Sequence, residues 1–571
     1  MPLDDFKGMH ISRRNAIKAG FGVAVAAQLA LIEQSAFTPA RASAATTSPS
    51  STSSFPNIQF DIGSHVAPPI TLNDGAGNVT AQFGPVFSYF VPANFVRVPN
   101  ANDISTFDYA MNTIEYFFSF SPSGIFAFAS YGVPYFNLIP GGINGGIVQS
   151  FMPQLLTGSN PDGTTSAFAE AVPSPTDVVG GFVGGPGAPV PNKTKDRFNV
   201  NVVIEKNHML FHLRSDSVGN LNNVLAWLKG SNNLAGFGVQ SPPFGGLLTF
   251  NRPTRVQFVQ RGMPRSLANS NNFEFAPRVN PDSPMWMGLL DQQTDSSGPA
   301  TICTFAGNSS ASLTDAFSSD YLGQGGVQHF SHDIEDLFQF YALKGQDARH
   351  PDGEDAPERL MYMFRANQIG TTNGLPSPFN ATDPFTNGGC PAFVNNKFQG
   401  ANDATLDATD AGGLFNPNSP PGTQQTQTFT GLPRIGHEQA LQRSSRAPDG
   451  TPMHIRMDGP GLSGLDVPAF QMFPGGATVP AGTPQPTLEF TAFVPTSEFF
   501  RQMRVNVAAQ DLQVAHNVDP DDNGLERFIT ATRRQNFLIP PRPVRSLPLI
   551  EFAGSSSASG SKRTTKANGT H

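Results

Sequence analysis

Ile104, Phe107, Met111, Ile114 and Phe118 recur at helical spacing, which predicts a helix closed by the serine-rich residues 119–123. Residues 124–131 (GIFAFASY) then read as a strand running into GVPYF. A second strand is expected at 209–213. After the Arg214-Ser215-Asp216-Ser217 turn, Val218, Leu221, Val224, Leu225 and Leu228 line one face of a helix that Gly230 should end. The β-branched run 254–259 (TRVQFV) supplies another strand. Beyond Gly325-Gly326, residues 327–341 begin a further portion, and 357–367 (PERLMYMFRAN) suggest a helix. Residues 487–494 (TLEFTAFV) alternate as a strand. Phe499, Phe500, Met503 and Val507 mark a helix begun by Thr496 or Ser497.

Strand–helix units thus recur on both sides of Gly325. The expected class is α+β, with two ferredoxin-like halves packed sheet against sheet and long loop insertions. The first half is placed at 55–324 and the second at 325–552. Residues 368–430, rich in Asn, Gly, Pro, Thr and Asp and without periodicity, form a loop insertion into the second half. Residues 158–196 read as a shorter surface excursion. The tail, 553–571, lacks the apolar residues a fold needs and is expected to be disordered.

The N-terminus has a different logic. Ser12-Arg13-Arg14 with Lys18 precedes a weakly apolar stretch, 19–32, that is too short to span a bilayer. Ala42 and Ala44 supply the small residues of a cleavage site. Residues 1–44 are therefore expected to be a twin-arginine signal peptide read by the twin-arginine translocase, followed by a Ser/Thr linker at 45–54. This predicts a periplasmic or extracellular protein with no stable membrane anchor.

Composition sharpens the picture. The 571 residues carry 56 Gly and 51 Pro, so turns are frequent. Charged residues make up 14%, against about 25% in an average soluble domain, and the net charge is −8. Such a chain lacks the basic surface that a nucleic-acid partner demands. With 48 Phe against 8 Tyr and 2 Trp, a large, dry interior is expected. Cys303 and Cys390, the two cysteines, could pair in an oxidising compartment but make no framework. His329, His332 and Asp333 invite a metal reading, but a spacing of three puts the two histidines on opposite faces of a strand. His208 and His212, four apart, would share a face if helical, but they straddle a predicted strand, and zinc there is disfavoured.

Several segments, in order, resemble the dye-decolorising peroxidase superfamily, haem enzymes made of two ferredoxin-like halves. These are 120–136 (FSPSGIFAFASYGVPYF), 209–217 (MLFHLRSDS), 325–341 (GGVQHFSHDIEDLFQFY) and 487–503 (TLEFTAFVPTSEFFRQM). The family's Gly-x-x-Asp-Gly motif is similar to Gly288-Leu289-Leu290-Asp291, with Gln292 replacing the last glycine. Its His-Ile-Arg segment is similar to His454-Ile455-Arg456. The resemblance implies haem b as cofactor, held by His454 as the iron ligand with Gly288 and Arg456 beside the group. Asp291 would be the catalytic distal acid, and hydrogen peroxide would react with an unknown reducing substrate. His437 is the rival ligand. A neutral imidazole can donate to haem iron, and a distal carboxylate can carry a proton between peroxide oxygens. The family's distal arginine, downstream of the histidine, has no counterpart, because residues 457–500 contain no Arg or Lys. The implied function is a weak or divergent peroxide-dependent oxidoreductase. The alternative is a haem-free binding or structural protein descended from the same fold.

Overall fold

The computed structural model describes residues 55–73, 78–173, 197–260, 262–279, 284–287, 298–307, 313–340, 454–472, 475–508 and 528–553. Its main strands are β1 (Phe87–Phe95), β2 (Phe126–Gly132), β3 (Met209–Ser215), β4 (Arg255–Phe258), β5 (Gly326–Glu335), β6 (Gly459–Ser463), β7 (Gln485–Val494) and β8 (Ile529–Ile539). The helices that matter here are α1 (Ala101–Phe117), α2 (Val218–Leu228) and α3 (Ser497–Ala508).

Local chemistry sets these boundaries. Asn100 caps α1 by accepting from the Asn102 backbone N–H, and Asp103 reaches back to the Asn100 N–H at 2.7 Å. Ser217 caps α2 through the Asn220 N–H, and Gly230 follows at φ +114°. Thr496, not Ser497, supplies the hydroxyl that opens α3, accepting from the Phe499 N–H at 2.9 Å. The predicted strands and these three helices form within a few residues of the expected positions. The 357–367 helix, the 368–430 insertion and Cys390 lie outside the described residues. Cys303 is a buried free thiol.

The first half runs β1–α1–β2–β3–α2–β4, with strand order β2-β3-β1-β4. The second half repeats that order as β6-β7-β5-β8, with α3 between β7 and β8. Both are ferredoxin-like arrangements. The halves also join edge to edge, because Phe537 and Leu538 of β8 pair with Gly132 and Tyr131 of β2. One large, mainly antiparallel sheet of eleven strands results. It curls until the outer strands meet. A Cβ on Gly459 would lie 2.7 Å from Val259 Cγ2, and one on Gly461 would lie 3.0 Å from the Val256 carbonyl. The Gln257 amide donates to the Met457 carbonyl at 2.7 Å across the same junction.

Inside this curl, Phe90, Leu210, Phe330 and Phe537 form a cluster drawn from both halves. The Phe90 and Phe330 rings stack 4.2 Å apart. The expected sheet-against-sheet packing is thus present, with edge pairing added to it. On the outer face, α1 and α2 bury Phe107, Met111, Ile114, Leu221, Val224 and Trp227 in the largest core. Among the described residues, no helix is long and apolar enough to cross a membrane.

Candidate active site

His454 and Arg456 are the two expected site residues that the structure describes. Gly288, Asp291 and His437 lie outside the described residues. His454 is buried at 1% exposure, directly ahead of a short strand, Ile455–Arg456, that pairs with Phe493 and Ala492 of β7. Its backbone carbonyl accepts from the Gly298 N–H at 2.8 Å. The ring therefore stands on backbone fixed from two sides.

Arg456 lines a cavity of about 420 Å³, together with Ile455, Met457, Asp458 and Arg214. His454 is not in that wall, so the cavity does not unite the two residues around one ligand. As a donor, the buried imidazole at 454 fits what haem iron requires.

The histidines of β5 divide as their spacing predicts. His329 faces α3, where its ring stacks on Phe500 at 3.6 Å and Nδ1 donates to Asn536 Oδ1 at 2.8 Å. The Asn536 amide is oriented in turn by donating to the Ala169 carbonyl. Burial, reinforced by Arg534, holds His329 well below its usual pKa, so the ring is neutral. His332 points into the curl. There Nδ1 lies 2.6 Å from Glu489 Oε1 and Nε2 lies 3.3 Å from the Leu465 carbonyl. Two acceptors on one ring suit an imidazolium. Burial opposes that charge, but Glu489 outweighs it and the pKa is raised.

His212 also points inward, between Phe90 and Phe128, with Nδ1 3.3 Å from the Gln328 amide nitrogen. Burial and the neighbouring Arg214 keep it neutral. His208 lies outside this layer and accepts from the Phe95 N–H through Nδ1 at 2.9 Å.

Sequence reasoning did not foresee the ionic layer that continues from His332. Glu205 pairs with Arg255 and, at 3.3 Å, with Arg533, which grips Asp466 through two bonds of 2.6 and 2.8 Å. Burial raises the Glu205 pKa, but the two guanidinium groups more than reverse this. The Arg255 guanidinium also lies over the Phe330 ring at 4.5 Å. The alternation within TRVQFV was the available signal, since it puts Arg255 and Gln257 on the same face of a strand. Their partners, from 205, 466 and 533, are too distant in sequence to be read.

No family model and no curated protein matches the chain. Among solved structures it is similar to the encapsulated DyP-type peroxidase from Mycobacterium smegmatis, with 11% identity and a TM-score of 0.38 over 83% of this chain and 96% of that one. It is similar to a dye-decolorizing peroxidase from Bacteroides thetaiotaomicron, with 11% identity and a TM-score of 0.36 over 85% and 98%. A variant of Rhodococcus jostii DypB in complex with heme is similar at 10% identity and a TM-score of 0.34, over 81% and 96%. Similarity this low carries neither cofactor nor activity across.

Proposed function

We propose that the chain is an exported haem protein of the dye-decolorising peroxidase type, with weak or divergent peroxide-dependent activity. The observation that carries this reading is His454, a buried imidazole on fixed backbone within the His-Ile-Arg segment. The repeated ferredoxin-like strand order of the two halves supports it. Bound haem would supply the redox chemistry. His454 would hold the iron through a neutral ring nitrogen, Arg456 would offer a cation close by, and Asp291 would move a proton between the peroxide oxygens.

The absence of Arg and Lys from 457–500 sets the expected strength. Loss of one preorganised cationic donor where charge develops costs about 10²–10³ in rate. That same observation favours the second reading, a haem-free binding or structural protein on the same scaffold. Iron analysis of the purified chain, with a peroxide-dependent oxidation assay, separates the two. Stoichiometric iron and a slow rate lowered further by Asp291→Asn support the first. Iron-free protein prepared with haem in excess supports the second.

Export belongs to the same proposal. The twin-arginine segment would send the chain, already folded, to the periplasm or beyond.

A further inference from the structure

The cavity beside Arg456 has a chemistry of its own, centred on Arg214. This side chain, near the end of β3, is only 4% exposed yet lines the cavity. Its Nε donates to Ser88 Oγ at 3.0 Å. Among the described residues, no carboxylate forms an ion pair with it and its terminal nitrogens donate to nothing; Asp216 and Asp458 act on it only through their fields. Burial pulls its pKa down to about 10, so it remains charged at neutral pH. The guanidinium therefore opens into the cavity with donors unspent, and a ligand acceptor would take them up.

The surroundings narrow the ligand. Gly84 passes directly over the guanidinium, where a Cβ would sit 3.0 Å from Nη2. The Gln82 amide donates to the Gly63 and Ala67 carbonyls, which holds the loop forming one side of the chamber. Phe60, Val259, Ile455 and Met457 supply the apolar part of a mixed wall. Phe60 is itself fixed by stacking on Phe493 at 4.6 Å. Asp61 and Asp458 share the wall with Arg214 and Arg456, so the carboxylates offset the cations and leave no surplus positive charge for a multiply charged anion such as phosphate. Burial raises the Asp61 pKa, against the opposing effect of His65. The volume, about 420 Å³, falls within the range of small-molecule sites.

We infer that this cavity binds a small organic monocarboxylate, its carboxylate paired with Arg214 and its apolar body against Phe60, Val259 and Met457. The planar fork of a guanidinium suits a carboxylate better than a point cation would. Among the described residues, the wall contains Arg456 but not His454.

Titration calorimetry of the full chain with benzoate, using benzamide and inorganic phosphate as competitors, tests this. Benzoate should bind saturably, and neither competitor should displace it. Arg214→Gln should weaken it by about tenfold or more. Val66→Trp, on the half-buried loop lining the chamber, should do the same by filling space and leaves the guanidinium untouched. If Arg214→Gln does not fold, Val66→Trp decides alone. No saturable benzoate binding, equal competition by benzamide or phosphate, or unchanged affinity in Val66→Trp would each overturn the inference.

Discussion

His329 and His332 occupy one strand three residues apart, and their surroundings give them opposite charge states. His329 is neutral between Phe500 and Asn536, and His332 is favoured as the cation by Glu489 and the Leu465 carbonyl. The folded pKa of His332 is raised, so its stabilising contribution is complete below the unfolded value, about 6.5, and fades as pH rises through the folded value. Glu489→Gln keeps the shape but removes the charge. Breaking such a buried pair costs about 3–5 kcal/mol. The gap between parent and variant in urea unfolding should be widest near pH 6 and shrink towards alkaline pH. Arg255 and Asp466 also act on the ring with opposite signs, and neither changes charge across that range. A gap independent of pH would show that His332 is not the titrating group.

At the scale of elements, local pattern set most of what could be read from sequence. The helical faces of α1 and α2, the end of α2 at Gly230 and the alternation of β7 are written within short windows, and they appear where expected. The β2–β8 pairing is different. It joins residues some four hundred apart in sequence, and no window contains it. The same is true of the β4–β6 junction, where Gly459 and Gly461 are glycines because another backbone lies against them. Neither has a positive φ, so space alone is the constraint there. Gly461→Val should place methyl groups against Thr487 and the Val256 carbonyl and lower stability by about 1–3 kcal/mol. Gly475→Ala is a control with open space, although its φ of +79° brings its own backbone cost. Chemical denaturation of both variants checks this. A Gly461→Val protein as stable as the parent would mean the junction is looser than described.

The candidate site was legible only in part at the scale of the whole molecule. The His-Ile-Arg segment pointed to His454, but motif spacing could not show that the ring is buried, or that Arg456 opens into a chamber whose described wall lacks His454. Nor could it reveal Arg214, which becomes a cavity group only when residues 60–66, 82–85, 298–301 and 455–458 converge on the end of β3. Export can be tested separately from the fold. Arg13→Lys with Arg14→Lys should leave the precursor in the cytoplasm, and N-terminal sequencing of the exported parent should begin near residue 45. An exported form that retains Met1 would refute cleavage.

The haem assignment is tested most directly by a Soret-region absorption spectrum of the full chain, purified after expression with haem supplied. A strong Soret band is expected in the parent and should be lost or markedly shifted in His454→Ala, with an unchanged circular dichroism spectrum. A colourless parent protein, or an identical band in the folded His454→Ala variant, would contradict it.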